Sequence, residues 1–386
     1  MIPRSMALRA LQLSTWFPVV SVTGPRQSGK STLVREVFSD YTYVNLENPQ
    51  TRQQALTDPV GFIRNRPNRL VIDEAQLAPE LFSMIQVASD ESNEPGQYVL
   101  SGSQNFLLLE QITQSLAGRV GLLKLLPLSF LEARTGDGNL TPDSFMLRGG
   151  YPRLYDVDIP LETFYSAYLE TYVERDVRDY LGVKDLSSYR TLLGLCAQCA
   201  GSLINVSRLS SDAGVSRESV NSWLFMLESS YIVFRLRPYH ANLRKHLTKT
   251  PKLYFYDTGL LCYLLRIRTL GQLLTSPYLG VVFENFVIEE RMKTHLNSGR
   301  EPDLYFYRDE NKAEVDLVDL TDPDQAFLAE IKSSQTYRSG FARYLHTVGD
   351  EIGIPRERRF VVERAEGNFE ADGALVRNIA TWLEMN

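Results

Sequence analysis

The octapeptide Gly24-Pro25-Arg26-Gln27-Ser28-Gly29-Lys30-Ser31 leaves this chain the fewest folds to choose from. It has the form GxxxxGK[ST] and lies between an apolar run, Val19-Val20-Ser21-Val22-Thr23, and a stretch with helical spacing. A glycine-rich turn at a strand-to-helix junction lets backbone N–H groups wrap an anion, and the helix N-terminus adds partial positive charge. The pattern predicts a phosphate-binding loop for ATP with Mg²⁺. Lys30 would reach the β- and γ-phosphates and Ser31 would ligate the metal, with the loop from Gly24 through Thr32 lining the nucleotide.

A second run, Leu70-Val71-Ile72, ends in Asp73-Glu74. Asp73 is expected to hold Mg²⁺ through water and Glu74 to polarise the attacking water as general base. A third run, Tyr98-Val99-Leu100, ends in Ser101-Gly102-Ser103-Gln104-Asn105, where Ser103 is the favoured γ-phosphate contact. Arg119 precedes the run Val120–Leu126 and has two readings: an arginine finger acting on a neighbouring subunit, or a helix-terminal cation that offsets the dipole. Short apolar runs at Val19–Val22, Tyr43–Leu46, Leu70–Ile72, Tyr98–Leu100 and Leu122–Leu126 alternate with helical stretches. That alternation predicts an α/β fold, a parallel sheet with helices on both faces.

The strings GPRQSGKSTL, VIDEAQ, LSGSQNFLL, LAGRV and LPLSFLE, with GGYPRL, YVERDV, KLYFYDTGLL, FENFVIEE and EVDLV…EIKSS further on, cover nearly the whole chain. In them the sequence resembles the AAA-type ATPases of bacteria and archaea that carry a C-terminal domain of unknown function. The resemblance implies an ATPase core of the AAA+ type and self-assembly into a homo-oligomer.

At about 100–200 residues per domain, 386 residues suggest two or three domains. Composition shifts place them at 1–140, 141–258 and 259–386, with the turn-rich Gly136–Asp143 as the first divide. In the middle part, Val206–Ala213, Gly214 and Ser216–Leu227 read as helix, turn and helix, with Ser207 and Ser216 as N-caps. Leu209, Ala213, Val215, Val220, Leu224 and Leu227 would face inward. Arg217 and its polar neighbours would face a major groove.

The following Tyr231–Tyr256 stretch contains no acid and carries Arg235, Arg237, His240, Arg244, Lys245, His246, Lys249 and Lys252. It would form the wing of a winged helix. With a net charge of −6 and a pI near 5.5, any nucleic-acid contact must come from such a local patch. Double-stranded DNA is the expected partner, through Arg217 and the basic stretch Arg235 to Lys252; winged helices also bind proteins, which keeps that reading open.

The last part holds Glu284 in a helical stretch, Asp316 in the run EVDLV, and Glu330-Ile331-Lys332 at the end of another. The order Glu, Asp, ExK resembles the restriction-endonuclease-like fold. That resemblance implies a metal site: Asp316 and Glu330 sharing Mg²⁺ or Mn²⁺, Glu284 in support, and Lys332 positioning water. Strand alternation puts Glu330 and Lys332 on one face. Such domains also persist as binding modules, so cleavage and binding stay open.

Three cysteines exclude a disulfide framework, and the Cys196-x-x-Cys199 pair has no second pair to complete a zinc site. No run of 18 or more apolar residues predicts a membrane span, and a cytoplasmic location is the default. The expected function is an Mg²⁺-dependent ATPase whose nucleotide state controls a C-terminal half that binds DNA, with or without cleaving it. The alternative is a regulatory or signalling ATPase that binds a protein partner and has an inert nuclease-like domain.

Overall fold

The computed structural model describes residues 2–66, 69–102, 108, 112, 114–172, 185–239 and 249–385. They form two compact units: Met1–Leu128 with the short pieces Ser229–Tyr231 and Leu296–Gly299, and the remainder from Ser129 onward. In the first unit, β1 (Val19–Thr23), β2 (Thr42–Asn45), β3 (Leu70–Asp73), β4 (Tyr98–Gly102) and β5 (Val120–Lys124) make one sheet. Its order is β2-β3-β4-β1-β5, and every neighbouring pair is parallel.

Leu70, Ile72, Tyr98 and Leu100 pack on one face with Phe62, Phe82 and Ile85. Val20, Val22, Val71 and Val99 pack on the other with Met6, Leu13, Leu33 and Val34. Burial on both faces explains why the strands read as continuous apolar runs rather than as alternation. Because the strands are parallel, the segments after β1, β3 and β4 all leave from the same edge of the sheet. The expected run Leu122–Leu126 is displaced from β5 by two residues, since Leu125 and Leu126 leave the strand yet stay buried.

The second unit begins with a capping box. Ser129 Oγ accepts from Glu132 N–H and the Glu132 carboxylate accepts from Ser129 N–H, starting the helix Phe130–Gly136. The divide therefore falls at Leu128, ahead of the expected boundary near 140. Gly136–Asp143 proves to be a short turn, because the next helix, Pro142–Arg148, is capped at once by Thr141.

The helices Val206–Ala213 and Arg217–Ser229 form as expected, with Gly214 left-handed at φ 68° between them. The first is capped by Asn205 rather than Ser207, whose position already lies inside the helix. Ser216 does cap the second, accepting from Ser219 N–H.

An eight-stranded mixed sheet completes this unit. Its strands are β6 (Val233–Pro238), β7 (Lys252–Phe255), β8 (Leu304–Arg308), β9 (Glu314–Asp319), β10 (Phe327–Lys332), β11 (Arg359–Glu363), β12 (Phe369–Ala371) and β13 (Ala374–Asn378). The order is β12-β13-β11-β10-β9-β8-β6-β7. The β6–β7 ribbon is antiparallel, and β6 pairs in parallel with β8 through Arg237↔Tyr305 and Pro238↔Phe306. The basic ribbon and the C-terminal strands thus share one sheet across the expected boundary at 258. Among the described residues no helix is long and apolar enough to cross a membrane.

Candidate functional site

β1 ends at Thr23 and the next helix starts at Lys30. The loop between them uses three residues at positive φ: Gly24 at 151°, Gln27 at 60° and Gly29 at 92°. A Cβ on Gly24 would lie 2.1 Å from the Leu125 carbonyl oxygen, so only glycine lets the backbone pass there. Lys30 is 5% exposed, and its ammonium donates to the carbonyls of Gly24 (3.0 Å) and Pro25 (2.7 Å). Ser28 Oγ is buried without a hydrogen-bond partner. A buried unpaired hydroxyl, a glycine-only turn and a lysine drawn into the loop fit a polyphosphate. Pro25 is buried, Arg26 and Ser31 are half-buried, and Gln27 and Thr32 are exposed.

Asp73 closes β3 at 1% exposure, and both of its oxygens are engaged. Ser101 Oγ donates to Oδ1 (2.5 Å) and Tyr43 OH to Oδ2 (2.5 Å), while Glu74 N–H adds a bond to Oδ1 (3.1 Å). The strand order supplies these partners, because β3 lies between β2, which carries Tyr43, and β4, where Ser101 is directly opposite Asp73. Burial and the bond to Asp73 push the Tyr43 phenol up to about 12. Glu74 sits at φ 55°, a conformation that non-glycine residues seldom adopt, and Gln76 Nε2 donates to its carboxylate (2.5 Å).

Ser103 lies outside the described residues. Ser101, two residues before it and paired with Asp73 across β3 and β4, donates to that carboxylate. Arg119 immediately precedes β5, its carbonyl accepting from Val19 N–H (3.2 Å), at the end of the strands opposite the phosphate loop. Its guanidinium grips Asp90 through two bonds of 2.5 and 2.9 Å. Arg4 escaped the sequence reading altogether: it donates to the Ser28 carbonyl (2.7 Å) and the Leu126 carbonyl (2.7 Å), tying the phosphate loop to the end of β5.

In the second unit Glu284, Asp316, Glu330 and Lys332 do come together, and four further residues, Lys252, Glu314, Tyr254 and Arg308, join them. Lys332 Nζ lies 2.5 Å from Glu330 and 3.4 Å from Asp316, whose Oδ2 also accepts from Ile331 N–H (2.9 Å). Lys252, 3% exposed, points into the same cluster, 2.6 Å from Glu314, 3.2 Å from Glu284 and 3.9 Å from Asp316. Tyr254 OH donates to Glu284 (2.5 Å), and Arg308 pairs with Glu314 (3.0 Å).

Lys252 is therefore no phosphate contact of an exposed wing, which corrects the sequence expectation; its alternation on β7 turns it inward. Burial alone would lower its pKa, but Glu284, Asp316 and Glu314 outweigh that and hold it above the usual lysine range. Burial, with Asp316 beside it, pushes the Glu330 carboxyl up to about 8. Among the described residues no group of three or more His, Cys, Asp or Glu is arranged to hold a metal ion. The residue types expected for Mg²⁺ or Mn²⁺ are present, but their oxygens converge on lysine nitrogens, and the set does not fit the metal.

Residues 17–134 match the model of the AAA domain, and residues 141–271 and 279–382 match two domains of unknown function, DUF8612 and DUF4143. The uncharacterized protein Rv2008c of Mycobacterium tuberculosis is 33% identical over 327 residues, covering 83% of this chain and 71% of the relative. Mb2031c of Mycobacterium bovis gives the same figures. The chain belongs to this family of AAA-type ATPases. An uncharacterized Haemophilus influenzae protein is 24% identical over 271 residues, 62% of this chain and 67% of its own. Among solved structures, the Walker-type ATPase PABY2304 of Pyrococcus abyssi aligns with 69% of this chain and 96% of its own, at 16% identity and a TM-score of 0.46.

Several strings of the AAA-type ATPase that stand out in sequence have structural work in the second unit. Asp257 caps the helix Thr258–Leu264 as expected, accepting from Leu260 N–H (2.8 Å), and also accepts from Gly150 N–H (2.6 Å) and Tyr165 OH (2.9 Å). On the helix Leu279–Asn297, Lys293 is buried with Glu289 (3.3 Å) and Glu290 (2.9 Å), and Glu290 accepts from Phe130 N–H (2.8 Å). Cys196 is a core thiol, pushed up to about 12 by burial, as the lone CxxC predicts.

Of the DNA-contact candidates, Arg217, Asn221, Ser222, Arg237 and Lys249 are exposed, while His240, Arg244, Lys245 and His246 lie outside the described residues. Arg235 is exposed but pairs with Glu228 (2.6 Å). Arg235, Arg237, Lys249, Tyr239, Tyr256 and Tyr305 line a cleft of about 780 Å³ along β6.

Proposed function

We propose that this protein binds ATP with Mg²⁺ at Gly24–Thr32 and hydrolyses it. The buried Ser28 hydroxyl, without a partner among the described residues, in a loop that also draws in the Lys30 ammonium and that only glycine at position 24 can close, carries the reading. Lys30 exchanges its two carbonyl partners for phosphate oxygens, which are stronger acceptors for an ammonium. Ser31 and Asp73 would hold Mg²⁺, which supplies charge neutralisation at the phosphate oxygens when bound. Ser101 and Tyr43 fix the Asp73 carboxylate in one orientation by donating to its two oxygens. Glu74, steadied by Gln76, takes the proton of the attacking water. The test is equilibrium binding of a fluorescent ATP analogue, with phosphate release measured in parallel, for the native chain and Lys30→Ala. Both signals disappear in the variant; unchanged affinity would remove the phosphate-loop assignment.

A second reading concerns the other unit and rests on the basic, tyrosine-lined cleft beside β6. The helices Val206–Ala213 and Arg217–Ser229 with the β6–β7 ribbon have the order of a winged helix, and Arg217, Arg237 and Lys249 supply charge for duplex DNA phosphates. ATP would regulate this binding only by favouring one arrangement of the protein over another. Anisotropy of labelled duplex DNA, titrated at several salt concentrations with and without ATP, decides it. Binding that weakens steeply with salt and is reduced by Arg237→Ala plus Lys249→Ala supports DNA. No binding at low salt favours a protein partner, for which the half-exposed Phe225 on the outer face of Arg217–Ser229 is the first residue to alter.

A further inference from the structure

The carboxylate cluster of the second unit has the residue types of a nuclease metal site, yet a cation already sits among them. Lys252 Nζ lies within 4 Å of Glu284, Glu314 and Asp316, carboxylates brought in by the helix Leu279–Asn297 and by β9. A divalent metal would need those same oxygens at about 2.0–2.6 Å from a common centre. The ammonium occupies that centre and is nearly sealed from solvent. Two further cations share the remaining carboxylate oxygens. Four carboxylates (Glu284, Glu314, Asp316, Glu330) face three cations (Lys252, Lys332, Arg308). The free valences are also taken, since Tyr254 OH donates to Glu284 and Ile331 N–H to Asp316.

We propose that Lys252 is the resident cation of this site, and that the second unit is a metal-free module with a nuclease-like residue set held shut by an ion-pair lock. The lysine comes from β7, outside the Glu…Asp…ExK series, and its chain position makes it a brace between the β6–β7 ribbon and the strand β9. In this arrangement Asp316 and Glu330 are structural counter-ions, and phosphodiester cleavage by a bound Mg²⁺ or Mn²⁺ is absent. The proposal does not depend on the ATPase reading of the first unit.

The test is Mn²⁺ binding to the full chain without nucleotide, followed by electron paramagnetic resonance of free Mn²⁺ and by thermal melting. Lys30→Ala serves as the background, so that the phosphate loop contributes nothing. The expected result is that Mn²⁺ titrates identically with and without an added Asp316→Asn, and that neither melting temperature responds to it. A saturable Mn²⁺ site that vanishes with Asp316→Asn would overturn the proposal. In the other direction, Lys252→Met should create a saturable site that Asp316→Asn then removes. A folded Lys252→Met that gains none would also overturn it. Should Lys252→Met fail to fold, the comparison of the two Lys252-containing chains still decides.

Discussion

Two buried lysines, one in each unit, sit where a nucleotide or metal site would be expected, and they are held in opposite ways. Lys30 is bonded to two neutral carbonyls of its own loop, a loop that also holds the buried Ser28 hydroxyl, without a partner among the described residues. Lys252 is bonded into three carboxylates, with a further lysine and an arginine completing the charge balance. An ammonium on carbonyl oxygens is poised to exchange them for an anion. An ammonium among carboxylates is already satisfied, and removing it leaves buried negative charge. The same residue type thus marks a ligand site in one unit and a structural lock in the other.

The sharpest way to break this contrast is to remove each charge and measure stability and turnover separately. Lys252→Met should destabilise the second unit by about 3–5 kcal/mol in urea unfolding, because it strands buried carboxylates. Lys30→Met should cost only about 1 kcal/mol of stability. In exchange, Lys30→Ala should lower ATP hydrolysis by roughly 100-fold or more. A large stability loss at Lys30 with none at Lys252 would reverse the interpretation.

A third ionic group sharpens the picture, because it lies close to the lock but is not part of it. Burial opposes the charge of Asp319, but His295 (2.7 Å) and Arg291 (2.5 Å) outweigh it and hold its pKa at about 2. A depressed carboxylate stabilises the fold above its unfolded pKa. Its contribution, about 2–3 kcal/mol from the shift, should therefore be lost as the pH falls from about 4 toward 2. Asp319→Asn should lack this acid limb in pH-dependent melting.

Smaller effects test the phosphate side. Ser101→Ala removes a charge-assisted bond to Asp73 and should slow hydrolysis by about tenfold. Arg4→Ala frees the Ser28 and Leu126 carbonyls and should weaken ATP binding by only about two- to fivefold, read by analogue fluorescence, since both lost bonds are only partly buried.

What could be read from sequence divides along the same line. The phosphate loop was legible because its chemistry is local: glycines for the turn, lysine and serine at the helix start, an apolar strand before them. The five strands were legible because burial on both faces writes them as apolar runs. The part of Ser101 is not legible in sequence because the deciding fact is strand register, which sets it opposite Asp73, 28 positions away. Arg4 reaches Leu126 over 122 positions, and no spacing rule links them. Lys252 was grouped with exposed wing cations because its neighbours in sequence are basic, while its partner Glu284 is 32 positions on. The nuclease-like residues were found, but their charge balance depends on Lys252, Glu314 and Arg308, which the motif does not contain.

The continuous eight-stranded sheet bears on how this protein can be divided in the laboratory and in evolution. A fragment beginning at 259 would lose β6 and β7, leaving the edge of β8 bare and able to recruit strands from other chains. The same cut would take Lys252 away from Glu284, Glu314 and Asp316, adding repulsion to an open edge. Keeping the basic ribbon with the C-terminal strands, by dividing the chain near 128 instead, leaves both the sheet and the lysine's carboxylate partners intact.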